Sequence, residues 1–104
     1  MKTTEIIFIK IEEACAHASS ETTGTLVKPC NLYEGRGKTP FSVSMARALA
    51  FVFMHDHYGI NYRRIAERSR MTVNAVMKCM VKARELRFID PTYKECYERI
   101  EKML

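Results

Sequence analysis

No stretch of the sequence is apolar enough to cross a membrane, because none reaches the ~20 consecutive apolar residues that a spanning helix needs. The most apolar stretch near the start, residues 5–11, contains Lys10 and runs directly into Glu12 and Glu13. No basic region precedes this stretch, and no small-residue cleavage site follows it. We therefore expect no membrane span and no signal peptide, and we expect the protein to be cytoplasmic.

Clustered cysteines are missing as well. The four cysteines are separated by 15, 49 and 17 positions, and no two of them form a CxxC pair. A zinc site needs clustered ligands, and a disulfide framework is typical of small secreted proteins. The sequence therefore predicts reduced cysteines that lie mostly in the core, and these are Cys15, Cys30, Cys79 and Cys96.

The usual signatures of an enzyme are also absent. His55 and His57 would point about 200° apart on a helix, so the two imidazoles could not bind one metal ion. No nucleophile is spaced from a histidine and an acidic residue in a way that indicates catalysis. The chain also lacks a P-loop. We expect a protein that is not an enzyme and that has neither a metal nor a cofactor.

Positive charge is concentrated in one part of the chain. The 104 residues carry a formal net charge of +5. Residues 62–87 alone carry eight basic and two acidic side chains, which is a net charge of +6, whereas residues 1–30, 31–61 and 88–104 carry −1, +1 and −1. A focused basic patch is typical of proteins that bind nucleic acid. The alternative is a basic helix face that contacts only solvent, which would give the same excess of basic residues.

The spacing of apolar residues predicts an all-α fold, a compact bundle of about five helices that contains a helix-turn-helix. We expect a single domain, with an N-terminal helix and loop in residues 1–35 and the helix-turn-helix region in residues 36–104. The β-branched residues between positions 6 and 11 also favour a strand, which weakens the prediction of the first helix. The predicted elements are a helix at 6–18, a loop at 19–39 with one helical turn near 29–33, a helix that begins near Pro40 and stops at Gly59, and helices at 62–69, 72–87 and 91–104.

Residues 62–86 have the pattern of a helix-turn-helix, in which a small residue lies where the second helix crosses the first. Ala66 is that small residue, and Ile65 and Val76 form the apolar pair across the turn. The usual glycine of the turn is missing, so another residue must take its place. An ordinary helical hairpin with a basic outer face would share the same apolar stripe, which is Val76, Cys79, Met80, Ala83 and Leu86.

The outer face of the second helix carries the candidate DNA-reading residues. Asparagine can form two hydrogen bonds with adenine, lysine can reach guanine, and apolar side chains can contact the thymine methyl group. Arginines on the first helix and the turn are suited to phosphates, which position a protein without reading the sequence. The predicted base-facing residues are Thr72, Val73, Asn74, Met77, Lys78 and Lys82, and the predicted phosphate contacts are Arg36, Lys38, Arg47, Arg63, Arg64, Arg68 and Arg70.

These motifs resemble the C-terminal DNA-binding domain of the bacterial replication initiator DnaA, over roughly residues 36–104. In that family a basic loop precedes an Ala-Arg-rich helix, as residues 35–38 precede residues 44–50 here. Ile65-Ala66 matches the opening of the family's helix-turn-helix, and residues 76–80 match its recognition helix. The resemblance implies a Trp-repressor-like helical fold that binds double-stranded DNA.

The sequence departs from the family pattern at two points, and both limit what the resemblance implies. The family begins its recognition helix with Asp-His-Thr, whereas this chain has Thr72-Val73-Asn74, so we expect it to recognise a different DNA sequence. The ATPase module of the initiator has no counterpart here. We therefore expect a sequence-specific DNA-binding regulator of transcription or replication. The alternative is a basic helical adaptor that binds an acidic protein partner, without DNA, through Val73, Met77 and Val81.

Overall fold

Five α-helices make up the computed structural model, which describes residues 3–34 and 39–104. One turn of 3-10 helix at Pro29–Asn31 lies between the first two helices, as predicted, and the described residues contain no β-strand. The prediction of an all-α bundle of about five helices is confirmed. The helices are α1 (Thr3–Thr23), α2 (Phe41–Val52), α3 (Tyr62–Ser69), α4 (Val73–Ile89) and α5 (Pro91–Met103).

Helix α2 occupies the centre of the core because it is apolar on almost every side. Eight of its 12 residues are buried, and both α1 and α4 pack against it. A π-helical segment at Phe53–His57 continues α2, and Gly59 ends it with a φ of +68°. This φ lies in the left-handed region that glycine adopts without steric cost, so the predicted stop at Gly59 is confirmed.

Helix α1 is longer than the sequence indicated. The predicted helix ends at Ala18, whereas α1 continues to Thr23. Each of three hydroxyl groups in this extension donates a hydrogen bond to the carbonyl four residues earlier: Ser20 to Ala16 at 2.8 Å, Thr22 to Ala18 at 2.7 Å and Thr23 to Ser19 at 2.7 Å. The predicted loop is therefore wrong as far as Thr23, because hydroxyls that often favour turns bond here to carbonyls of the helix.

A short turn joins α3 to α4 and holds the two helices together. Arg70 has φ 58° and ψ 36°, so a residue other than glycine makes the left-handed turn, as predicted. The N–H of Met71 donates to the carbonyl of Ala66 at 3.1 Å. The Thr72 hydroxyl accepts from the N–H of Ala75 at 3.1 Å, so α4 begins at the predicted cap.

Helix α5 also begins where the sequence predicted. One carboxylate oxygen of Asp90 accepts hydrogen bonds from the N–H groups of Thr92 at 2.8 Å and Tyr93 at 3.2 Å. Pro91 occupies the first turn, where its missing N–H costs nothing. The face that α5 buries against the rest of the bundle consists of Tyr93, Cys96, Tyr97 and Ile100.

A buried carboxylate ties α1 to α3. Glu12 is only 5% exposed, and its two oxygens accept hydrogen bonds from Arg68 Nε at 2.9 Å and Nη2 at 2.7 Å. The Tyr33 hydroxyl donates to the same carboxylate at 2.6 Å. Burial and the neighbouring Glu12 raise the pKa of Tyr33, so this hydroxyl keeps its proton and remains a donor. The buried charge is thus paired and hydrogen-bonded.

We predict that Glu12→Gln lowers the free energy of unfolding by about 1–3 kcal/mol, because the amide no longer accepts two charge-assisted bonds from Arg68. Urea denaturation followed by circular dichroism measures this change. The matched control is Glu13→Gln, since Glu13 is the next residue and is exposed. Equal stability of the two variants would show that the Glu12–Arg68 pair contributes nothing.

Candidate nucleic-acid interface

Helix α4 has one buried face and one exposed face. Val76, Met80 and Ala83 are completely buried, so they fix the helix against the core. Asn74 and Lys78 lie on the opposite side and are exposed. The buried row holds the orientation of α4, and this orientation directs the polar row outward.

A shallow groove of about 410 Å³ runs along the exposed side of α4. Its lining residues recur at the three- and four-residue spacing of a single helix face. The groove combines two lysines and an asparagine with apolar side chains, and one carboxylate lies at its far end. The lining residues are Asn74, Met77, Lys78, Val81, Lys82 and Glu85.

Thr72 and Val73 lie at the N-terminal end of the same face. Both residues are exposed. The Thr72 oxygen accepts from the N–H of Ala75, which leaves its O–H hydrogen available to donate. The positive end of the helix dipole is at this position, which favours a negatively charged group nearby. The structure therefore brings all six predicted base-facing residues together on one exposed face that begins at the helix N-terminus.

Two exposed arginines lie in the first turn of α3. Arg63 and Arg64 follow Tyr62, whose ring stacks on the ring of His55 with centroids 4.1 Å apart. The side chain of Asn61 caps the helix by accepting from the N–H of Arg64 at 2.9 Å. These contacts fix the start of α3, so its two arginines project from a defined position.

Only some of the other residues that were predicted to contact phosphate are exposed cations in the structure. Arg70 is exposed in the turn between α3 and α4. Arg36 and Lys38 lie outside the described residues. Arg68 is bound to Glu12, and a phosphate would have to compete with that pair. We therefore leave Arg68 out of the candidate interface.

Arg47 also has partners within the fold. Its Nε donates to the carbonyl of Leu32 at 2.5 Å and its Nη2 donates to the carbonyl of Glu34 at 2.7 Å. Helix α2 thereby holds the segment that follows the 3-10 turn. Since the guanidinium already bonds to two carbonyls, we also leave Arg47 out of the candidate interface.

Two further arginines of the basic segment contact the protein itself. Arg84 forms an ion pair with Asp56 at 2.7 Å, and its hydrogen bonds hold the pKa of the Asp56 carboxyl below the usual value. The guanidinium of Arg87 lies 3.8 Å from the ring centroid of Tyr97 and 4.5 Å from that of Phe88. Asp56, which lies outside the basic segment, thus offsets one of its positive charges. Asp56 lies 28 positions before Arg84, so no local spacing pointed to this pair.

The described residues include no group of three or more histidines, cysteines and acidic residues that could hold a metal ion. His55 Nδ1 lies 2.9 Å from the carbonyl of Ile60, whereas His57 Nε2 lies 2.8 Å from the Tyr97 hydroxyl. The two neighbouring histidines therefore have separate partners. None of the described helices is both long and apolar enough to cross a membrane.

The cysteines are free, as predicted, but they are less uniformly buried than expected. Cys15 and Cys96 are buried, Cys79 is partly buried and Cys30 is exposed. Burial raises the pKa of Cys96 to about 12 and also raises the pKa of Cys15. These two thiols therefore remain protonated and behave as small apolar groups.

Comparison with known proteins yields no relative: no protein-family model, curated protein or solved structure matches the chain. The resemblance to the DnaA domain remains a prediction from the sequence motifs.

We predict that Arg47→Ala destabilises the protein by about 1–3 kcal/mol, because two carbonyls lose their charged donor. Arg64→Ala should change the free energy of unfolding by less than about 0.5 kcal/mol, since its side chain is exposed. Thermal or urea unfolding of both variants measures the difference. A loss of stability in Arg64→Ala as large as that in Arg47→Ala would contradict this division of the arginines.

Proposed function

We propose that this chain binds double-stranded DNA in a sequence-specific manner and acts as a regulator of transcription or replication. In this proposal α3 and α4 form a helix-turn-helix, and α4 is the recognition helix in the major groove. The resemblance of the sequence motifs to the DnaA domain favours the same function. The proposal does not involve catalysis.

The observation that carries the proposal is the division of α4 into two faces. A recognition helix needs an inner face that is fixed and an outer face that offers hydrogen-bonding groups to base edges. Here Val76 and Met80 are completely buried, while Asn74, Lys78 and Lys82 are exposed. An α-helix fits the width of the major groove, where asparagine pairs with adenine and lysine with guanine.

The exposed cations near α4 support a role in phosphate contacts. Arg63 and Arg64 lie at the start of α3, and Arg70 lies in the turn that precedes α4. In a helix-turn-helix the first helix crosses the phosphate backbone while the second enters the groove. We assign these three arginines to phosphate contacts, and we assign the N-terminal end of α4 to base contacts.

The first test is a fluorescence-anisotropy titration of a randomised DNA duplex pool, followed by sequencing of the bound fraction. If Arg63, Arg64 and Arg70 each neutralise one phosphate, the logarithm of the affinity should fall with the logarithm of salt concentration at a slope of about −3. Arg64→Ala should reduce this slope by about one unit. The control Lys94→Ala removes an exposed cation from α5, outside the candidate interface, and should leave the slope unchanged. A flat salt response in the wild type would refute the proposal.

The second test separates sequence reading from general attraction. Asn74→Ala should cost about 1–3 kcal/mol of discrimination between the enriched sequence and a scrambled duplex, because it removes the two hydrogen bonds to adenine. Binding to the scrambled duplex should stay nearly constant, since the substitution changes no charge. The competing duplexes are measured at one salt concentration. If Asn74→Ala binds both duplexes as the wild type does, Asn74 does not read a base.

A second candidate function rests on the apolar residues of the same face. Val73, Met77 and Val81 are 37%, 42% and 51% exposed, and an acidic protein partner could cover them while pairing with the lysines. Such an adaptor would bind a partner protein tightly and DNA weakly. It would tolerate Asn74→Ala but lose its partner on Met77→Asp, which adds a charge to the apolar row.

A further inference from the structure

Three apolar side chains lie in one row on the exposed face of α4. Val73, Met77 and Val81 follow one another at intervals of four residues, and between about a third and a half of each is exposed. Residues at this spacing are neighbours on one side of a helix. The row is therefore a continuous apolar strip about 12 Å long, from 1.5 Å of rise per residue.

The fold itself does not require this strip. Val76, Met80 and Ala83 already fix α4 to the core, and each of them is completely buried. Met77 and Val81 instead line the groove together with Asn74, Lys78 and Lys82, which are polar or positively charged, and Val73 lies one turn before Met77. Apolar groups among cations fit a partner that has negative charge at its edges and apolar groups at its centre.

The major groove of DNA has this character. Phosphates border it, and the C5 methyl group of thymine is the apolar group that its base edges present. We propose that Val73, Met77 and Val81 contact thymine methyl groups and so make thymine content a determinant of the recognised sequence. This inference rests on the proposed function, because it assigns base contacts to the same helix face.

The spacing of the strip gives the expected pattern of thymines. Successive members are separated by about 6 Å along the helix, so each can contact a different base pair, since base pairs are stacked about 3.4 Å apart. Asn74 lies beside the strip, where it can bond to an adenine. Glu85 lies at the far end of the groove, where its carboxylate would repel phosphate. Contacts with the duplex should therefore concentrate between Val73 and Lys82.

The test replaces thymine by deoxyuridine, which removes the C5 methyl group and leaves the base-pairing edge unchanged. The probe is the duplex enriched from the randomised pool, with each thymine replaced in turn, and anisotropy at one salt concentration gives the affinity. We expect at least one replacement to weaken binding by the wild type about fourfold, the value for one buried methyl group. The same replacement should have no effect in the one alanine variant, of Val73, Met77 or Val81, that lacks the side chain in contact with that methyl group.

Ile89→Ala is the matched control, because Ile89 is an exposed apolar residue at the end of α4 and outside the groove. This variant should retain the full deoxyuridine penalty. Circular dichroism of all variants verifies that α4 remains folded.

Two outcomes separate this inference from the proposed function. If the protein binds with a steep salt dependence but deoxyuridine has no effect, or if the enriched sequence contains no thymine, the methyl contacts are wrong and DNA binding stands. If no duplex binds even at low salt, both are wrong. A deoxyuridine penalty that persists in the alanine variants of Val73, Met77 and Val81 would also overturn the inference, since other residues would then read the methyl groups.

Discussion

The burial of α2 determines how the other helices are arranged. A helix that is apolar on almost every side cannot remain in water, so neighbours must surround it. Helices α1 and α4 pack against α2, and α5 closes the arrangement by contacting both α1 and α4. Helix α3 packs mainly against α4 and the π-helical segment, which leaves its first turn at the surface. The orientation of the candidate interface thus follows from the need to cover one central helix.

Positive charge in this protein has two different roles. Arg68 and Arg84 pair with Glu12 and Asp56, and each pair joins helical segments that are distant in the sequence. Arg63 on α3 and Lys78 on α4 are instead exposed at the surface. The net charge of a segment therefore overestimates what it can offer to a polyanion, because arginines are well suited to pairing within a fold.

Local signals in the sequence were enough to locate most helix boundaries. Thr72 and Asp90 cap helices with their own side chains, and Gly59 ends one through its left-handed backbone. Each of these signals acts within a few residues, so it can be read directly from the sequence. The spacing of the buried residues of α4 could also be read from the sequence, and it identified the exposed face of that helix.

Long-range pairings could not be predicted in this way. Arg68 reaches Glu12 across 56 positions and Arg47 reaches Leu32 across 15, and no periodicity connects these partners. Both arginines were predicted to contact phosphate because basic composition gives no information about a buried carboxylate or a free carbonyl elsewhere. The extension of α1 was missed for another reason, since serine and threonine hydroxyls can stabilise either a turn or a helix.

The position of α1 also has a kinetic consequence. Arg99 on α5 bonds to Glu21 on α1, across 78 positions of the chain. Bringing such distant segments together has an entropic cost that the neighbouring helices α3 and α4 do not incur. We expect α1 to complete its packing late in folding, because its contacts with α5 can form only after α5 has been synthesised. Until then the side of α1 that meets α5 lacks its cover, so a growing chain would expose that side on the ribosome.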